Sequence, residues 1–176
     1  MSRLLIIRLA YPLYKAVKAD LTRPHPFAAE RVGFLFSKVG IGPDGVILLL
    51  PVDYLPLPDE QYVDEGDPLI GAAINGAAIR SAMQRVLDSG MGAFHVHMHA
   101  YHTGCPHFSP TDWHDLPDIV QSLRNADARL IHGALLLSQD AATGALWLPN
   151  QDINMPLVPQ VTLVGCPLQI CPGGRV

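Results

Sequence analysis

Short apolar runs alternate along this chain with stretches whose apolar residues recur every three or four positions, and that alternation predicts an α/β order. Residues 3–9 read as a strand. Tyr14, Val17 and Leu21 sit at helical spacing, and the helix they predict over 14–21 stops before Pro24 and Pro26, which lack the N–H a helix needs. Residues 30–36 and 45–52 read as strands, and the glycine-rich segment between them predicts a hairpin. Residues 54–68 carry prolines and acids with no apolar period, so they read as a surface loop. Residues 70–89 form the longest helical candidate, alanine-rich and closed by Gly90, which suits a left-handed C-terminal position. Residues 92–99 read as a strand, followed by a Gly/Pro/His loop and a helix start at Ser109-Pro110-Thr111-Asp112, with Pro117 expected to break or restart that helix. Residues 130–137 and 145–148 predict a last hairpin around 140–144, and 161–164 a final strand. The expected fold is a mixed β-sheet flanked by helices in one domain over residues 1–176, because a single core serves about 100–200 residues.

Composition narrows the function. Hydrophobic residues make up 49% and charged residues 16%, enough apolar material for a core and too little charge for a disordered tail. The net charge is −4 and no basic run interrupts the chain, so a phosphate-tracking surface has no source of charge and nucleic acid is not an expected partner. No apolar stretch reaches the roughly 18 residues that span a bilayer, so a membrane partner is not expected either. Leu4-Leu5-Ile6-Ile7 is closed by Arg8, short of the roughly 7–15 residues of a signal-peptide core, which makes the cytoplasm the expected compartment. Cys105, Cys166 and Cys171 cannot all pair with one another and are expected as reduced thiols; the C-x4-C spacing of the last two matches no common zinc or redox motif.

Histidine departs from this ordinary background. Six of the eight, His95, His97, His99, His102, His107 and His114, fall within 20 residues. On a strand, His95, His97 and His99 share one face while Val96 and Met98 share the other. Neighbouring imidazoles on that face are about 6.6 Å apart at the backbone, close enough to converge on one ion, whereas His95 and His99 are about 13 Å apart. A catalytic zinc takes three protein ligands from His, Asp or Glu and leaves a position open. Asp112 is the candidate third ligand, and it has a second reading as the acidic member of a helix cap headed by Ser109. One histidine on a strand is ordinarily a packed core residue, but three in alternation favour a metal. His102, His107 and His114 read first as exposed loop histidines.

Glu30 at the head of an early strand, then His97-Met98-His99, then Ser109-Pro110-Thr111-Asp112, resemble in order the distant Glu, H-x-H and S-x-x-D of the JAMM signature of MPN-domain (JAB/Mov34/PAD-1) zinc metalloproteases. The resemblance spans roughly residues 3–150. Ala100 stands where many members have proline, and the interval from the second histidine to the aspartate is two residues longer than the commonest one. The longer His- and Gly-containing loop is similar to bacterial members associated with ubiquitin-like conjugation systems.

The resemblance implies that the chain is one MPN domain in which His97, His99 and Asp112 bind Zn2+. Glu30 would be the general base for the attacking water, and Ser109 would donate to the developing oxyanion. It implies a peptidase or isopeptidase acting at the C-terminus of a ubiquitin-like protein or its conjugates, with E1- and E2-like enzymes of the same system as further partners. A catalytically silent MPN scaffold and a small-molecule metal-dependent amidase are the alternatives. Of the two adjacent histidine pairs, His97/His99 is preferred, because His99 ends the strand beside the loop to Asp112 while His95 follows Phe94 in the interior.

Overall fold

The computed structural model describes residues 4–66 and 71–165. Its elements, in chain order, are β1 (Leu5–Ala10), α1 (Tyr11–Leu21), β2 (Val32–Ile41), β3 (Ile47–Pro56), β4 (Tyr62–Val63), β5 (Ala73–Ile74), α2 (Gly76–Ser89), β6 (Gly92–Met98), α3 (Pro110–Ala126), β7 (His132–Leu137), β8 (Ala142–Trp147) and β9 (Gln160–Val164). Seven strands form one sheet in the order β8-β7-β6-β2-β3-β1-β9, and β4 pairs with β5 apart from it. The pairs β6/β7, β1/β3 and β1/β9 are parallel and the rest antiparallel, so the sheet is mixed, with helices on its faces, as expected. Cys166, Cys171 and Ile70 lie outside the described residues.

The two faces of the sheet bury different layers. Phe94, Val96 and Met98 of β6 pack with Ile7, Leu49, Leu135 and Val17 beneath α1. Ala93, with Phe34 and Phe36, packs under Ala78, Ala82 and Val86 of α2 and Leu123 of α3. Because side chains alternate along a strand, His95 and His97 face the side of α2 and α3. The β2–β3 hairpin carries a register shift beside Pro51, a residue that cannot donate to the ladder.

Four expectations change. The stretch 54–68 is more than a surface loop: β3 runs to Pro56, Leu57 and Tyr62 are buried, and Tyr62 Oη accepts the N–H of Val32 at 2.9 Å and donates to its carbonyl at 3.0 Å. The helix expected from residue 70 begins at Gly76, because the Asn75 side chain accepts the N–H groups of Ala77 and Ala78 and Ala73–Ile74 pair with β4. Pro117 does not break α3, which continues to Ala126. A proline inside a helix costs about 3 kcal/mol, and the burial of Leu116, Val120 and Leu123, at about 1.5–3 kcal/mol for each fully buried side chain, offsets it. The last hairpin turns at 138–141, with Thr143 and Gly144 inside β8. Among the described residues, no helix is long and apolar enough to cross a membrane.

Candidate metal centre

Register brings the first two parts of the site together. In the β2–β6 ladder Val32 pairs with His97 and Phe34 with His95, and extending that count past the start of β2 sets Glu30 opposite His99. Glu30 leaves the sheet at that point, and its N–H donates to the Gly71 carbonyl at 2.8 Å. The adjoining Arg31 is buried and ties the segment down: Nε donates to the Arg23 carbonyl at 3.0 Å, and Nη2 to the Pro24 carbonyl at 2.9 Å and Asp59 Oδ1 at 2.7 Å. A Cβ at Gly71 would stand 2.8 Å from Oε2 of Glu30 and would push that carboxylate aside.

Glu30, His97 and His99 each offer one ligand atom, and these atoms lie within 4.8 Å of one another. Nε2 of His99 is 3.8 Å from Oε1 of Glu30. On the other side Nε2 of His97 is 3.3 Å from Oδ1 of Asp112. Both ring nitrogens of His97 are buried, and neither has a hydrogen-bond partner of good geometry. Buried polar atoms are rarely left so. Two ligands of a tetrahedral ion with bonds of about 2.0–2.1 Å stand about 3.3 Å apart, the separation of this pair. The donor set of imidazole nitrogen and carboxylate oxygen suits zinc, so the residues fit the ion that the sequence resemblance implies. The grouping within 4.8 Å takes in Glu30, read from the sequence as a base, and leaves out Asp112, read from the sequence as a ligand.

Asp112 is aimed by the start of its own helix. Ser109 caps α3, its Oγ accepting the Asp112 N–H at 3.1 Å while Asp112 Oδ2 accepts the Ser109 N–H at 2.7 Å. The two readings of the Ser109–Asp112 segment are therefore compatible: one carboxylate oxygen serves the cap and the other faces His97. The Ser109 hydroxyl oxygen accepts in the cap.

Burial raises the Glu30 carboxyl, with Asp112 adding to the rise and His97 opposing it. Burial likewise lowers the His99 imidazole, with His97 adding to the effect. For Asp112 burial acts upward, but the His97 imidazole and the bonds to Ser109 outweigh it and hold the carboxyl well below the usual carboxylate range. Environment thus separates two carboxylates in one cavity, one pushed toward neutrality and one kept ionised.

All five sequence-predicted site residues line one cavity of about 630 Å³. His95 lines it too, its ring 5.5 Å from that of His97 between centroids, outside the three-residue cluster. His102 is exposed with its ring 5.6 Å from that of His99, and His107, His114 and Cys105 are exposed. Sequence reasoning missed Gly71 and Arg31, which hold Glu30 in place. Arg31 carried a faint signal, a lone charge beginning an apolar run; Gly71 carried none.

No protein-family model matches the sequence, and no curated protein matches it. Among solved structures, the Trichoplax adhaerens STIL N-terminal domain is similar at 12% identity and a TM-score of 0.40, over 81% of this chain and 41% of that one. The chain thus spans less than half the length of that protein, and a likeness at that TM-score fixes neither fold nor function.

Proposed function

We propose that the protein is a JAMM/MPN-type zinc peptidase or isopeptidase that cuts at the C-terminus of a ubiquitin-like protein. The observation that carries the reading is the 3.3 Å approach of the buried His97 Nε2 to Asp112 Oδ1, flanked by His99 and Glu30. His97, His99 and Asp112 would hold the zinc ion. When bound, zinc lowers the pKa of water toward about 7 and polarises a carbonyl.

The chain's own groups supply the rest. Glu30, raised by burial, takes the proton from the attacking water and passes it to the departing amine. The Ser109 O–H donates to the carbonyl oxygen as negative charge develops on it. Ala72, Ala73 and Ile74 line the cavity, and β5 pairs only with β4 among the described residues, so an extended tail adds beside β5 as a further strand. In this reading the tail ends in small residues such as Gly-Gly. The cytoplasm is the compartment and E1- and E2-like enzymes are the neighbours in this reading.

The test is zinc-loaded protein incubated with a ubiquitin-like protein carrying a C-terminal extension, followed by intact mass. Release of the extension, its loss with a chelator and its return with zinc are expected. Zinc bound tightly without cleavage of any tail would favour the silent scaffold, and cleavage of small amides alone would favour the amidase.

A further inference from the structure

Away from the cavity, a histidine holds a turn of the chain by accepting hydrogen bonds. Nδ1 of His25 accepts the N–H groups of Phe27 at 3.3 Å and Ala28 at 3.0 Å. Asn75 does the same at the start of α2, its Oδ1 accepting from Ala77 at 2.8 Å and Ala78 at 3.3 Å, again two and three residues on. Asparagine is the ordinary residue for such a turn, and its oxygen does not titrate. At residue 25 the acceptor is an imidazole nitrogen, which protonation turns into a donor. Because Nδ1 accepts, the neutral ring carries its proton on Nε2, and an added proton has only Nδ1 to go to. Nδ1–H would then face two N–H groups, and both bonds would be lost.

This turn is fastened to the segment that carries Glu30. The His25 side chain is 1% exposed, and its ring lies 4.3 Å from that of Tyr62 and 4.5 Å from that of Phe27 between centroids. Tyr62 Oη bonds the N–H and carbonyl of Val32, and Arg31 bonds Asp59 and the carbonyls of Arg23 and Pro24, the two residues before the turn. Residues 23–28 are thus the seat on which Arg31 and Val32 rest, and Glu30 directly precedes them. The charged and titratable groups around the ring are Arg31, Arg23, Tyr62 and Asp59, whose Oδ1 is 3.8 Å from Nε2. Burial lowers the imidazole's pKa below the 6.5 usual for histidine; Arg31 adds to the fall, Asp59 opposes it and Arg23 adds less. The two bonds are therefore intact at neutral pH, and their contribution is lost as pH falls through the lowered value.

We propose that His25 is a positioning residue for Glu30, a latch that holds residues 23–32 in place while its Nδ1 is unprotonated and releases them on protonation. A group that touches neither ion nor substrate thereby governs where the carboxylate stands. The effect on turnover rests on the metallopeptidase reading; the latch itself stands on the hydrogen bonds and does not need that reading.

The test uses the full-length protein, nitrogen-labelled for nuclear magnetic resonance. At neutral pH the His25 ring should carry its proton on Nε2. On acidification the Phe27 and Ala28 amide protons should move upfield together as their bonds break, with a midpoint below 6.5, and the Arg31 Nε–H signal should follow them. His25→Asn keeps an acceptor and removes the titration, so the three signals should stay put over the same range. In zinc-loaded protein at neutral pH, His25→Phe keeps a ring of similar size and lacks the acceptor. It should lower kcat by about 10–10²-fold, the cost of a displacement on the order of 1 Å, with zinc content and KM little changed. His25→Asn should restore kcat, which a residue needed only for packing would not do. A proton on Nδ1 at neutral pH, amide signals that ignore the His25 titration, or equal kcat in His25→Phe and its parent would overturn the proposal. A protein that releases no product overturns the peptidase reading, and the resonance titration then decides the latch by itself.

Discussion

Oδ1 of Asp112 faces Nε2 of His97 at 3.3 Å, while Oδ2 of the same carboxylate accepts the Ser109 N–H that opens α3. One side chain thus starts a helix and supplies the anionic corner of the centre. Asp112→Asn separates these duties, because an amide oxygen still accepts the capping bond but carries no charge. The metal-free variant should keep the melting temperature of the metal-free parent, since acceptable caps differ by well under about 2 kcal/mol, and should lose most of its zinc binding. Zinc content by mass spectrometry, set beside the thermal transition, checks both halves.

Zinc should be present at about one ion per chain. His99→Gln should lose most of it, whereas His95→Gln should retain it, since the rings of His97 and His99, and not that of His95, stand beside the carboxylates of Asp112 and Glu30. The opposite pattern would move the ligand set two residues along β6.

Glu30→Gln should leave zinc and fold in place and lower turnover by about 10²–10⁴-fold, the usual worth of a positioned general base. Zinc lost together with activity would make Glu30 a ligand, which the 4.8 Å grouping also accommodates.

Ser109→Ala should lower kcat by about 10²–10³-fold with KM little changed, because the hydroxyl meets charge that exists only in the transition state. As a lost cap it should also cost about 1 kcal/mol of stability. A variant that loses stability and keeps its turnover would confine Ser109 to the cap.

His132 links β7 to β6. Its Nδ1 accepts the Ala93 N–H at 3.2 Å, so the neutral ring carries its proton on Nε2, which donates to the Asp127 carbonyl at 2.9 Å. Burial lowers its pKa below the 6.5 usual for histidine, and Arg124 adds to that. The unfolded chain therefore takes up a proton first, and the stability due to this residue, full above 6.5, is lost as pH falls through the lowered folded value. Urea unfolding of metal-free protein should show stability falling below pH 6.5, with up to about 1.4 kcal/mol per pH unit due to this ring. His132→Gln should flatten the slope by that amount; equal slopes in the two proteins would show that the ring gains no proton on unfolding.

The strand carrying the histidines was legible because alternation is a local property: His95, His97 and His99 on one face and Val96 and Met98 on the other follow from a period of two. The helix start at Ser109 was legible for the same reason, a cap being written in adjacent residues. What sequence did not reveal depends on distant partners. Tyr62 lies among prolines and acids, yet its hydroxyl closes the end of β2, 30 residues earlier in the chain. Pro117 argues locally against a helix that Leu116, Val120 and Leu123 hold through packing. The approach of Gly71 to Glu30 joins two segments whose spacing follows no period.

The division of β6 into an apolar face and an imidazole face bears on assembly as well. Sliding β6 by one residue against β2 or β7 would turn His95 and His97 into the layer beneath α1 and bring Phe94, Val96 and Met98 to the cavity. A misregistered chain could neither bind the ion nor satisfy its buried rings. On the proposed zinc reading, the fraction of freshly refolded protein that takes up zinc would count the chains whose central strand has docked in the correct register.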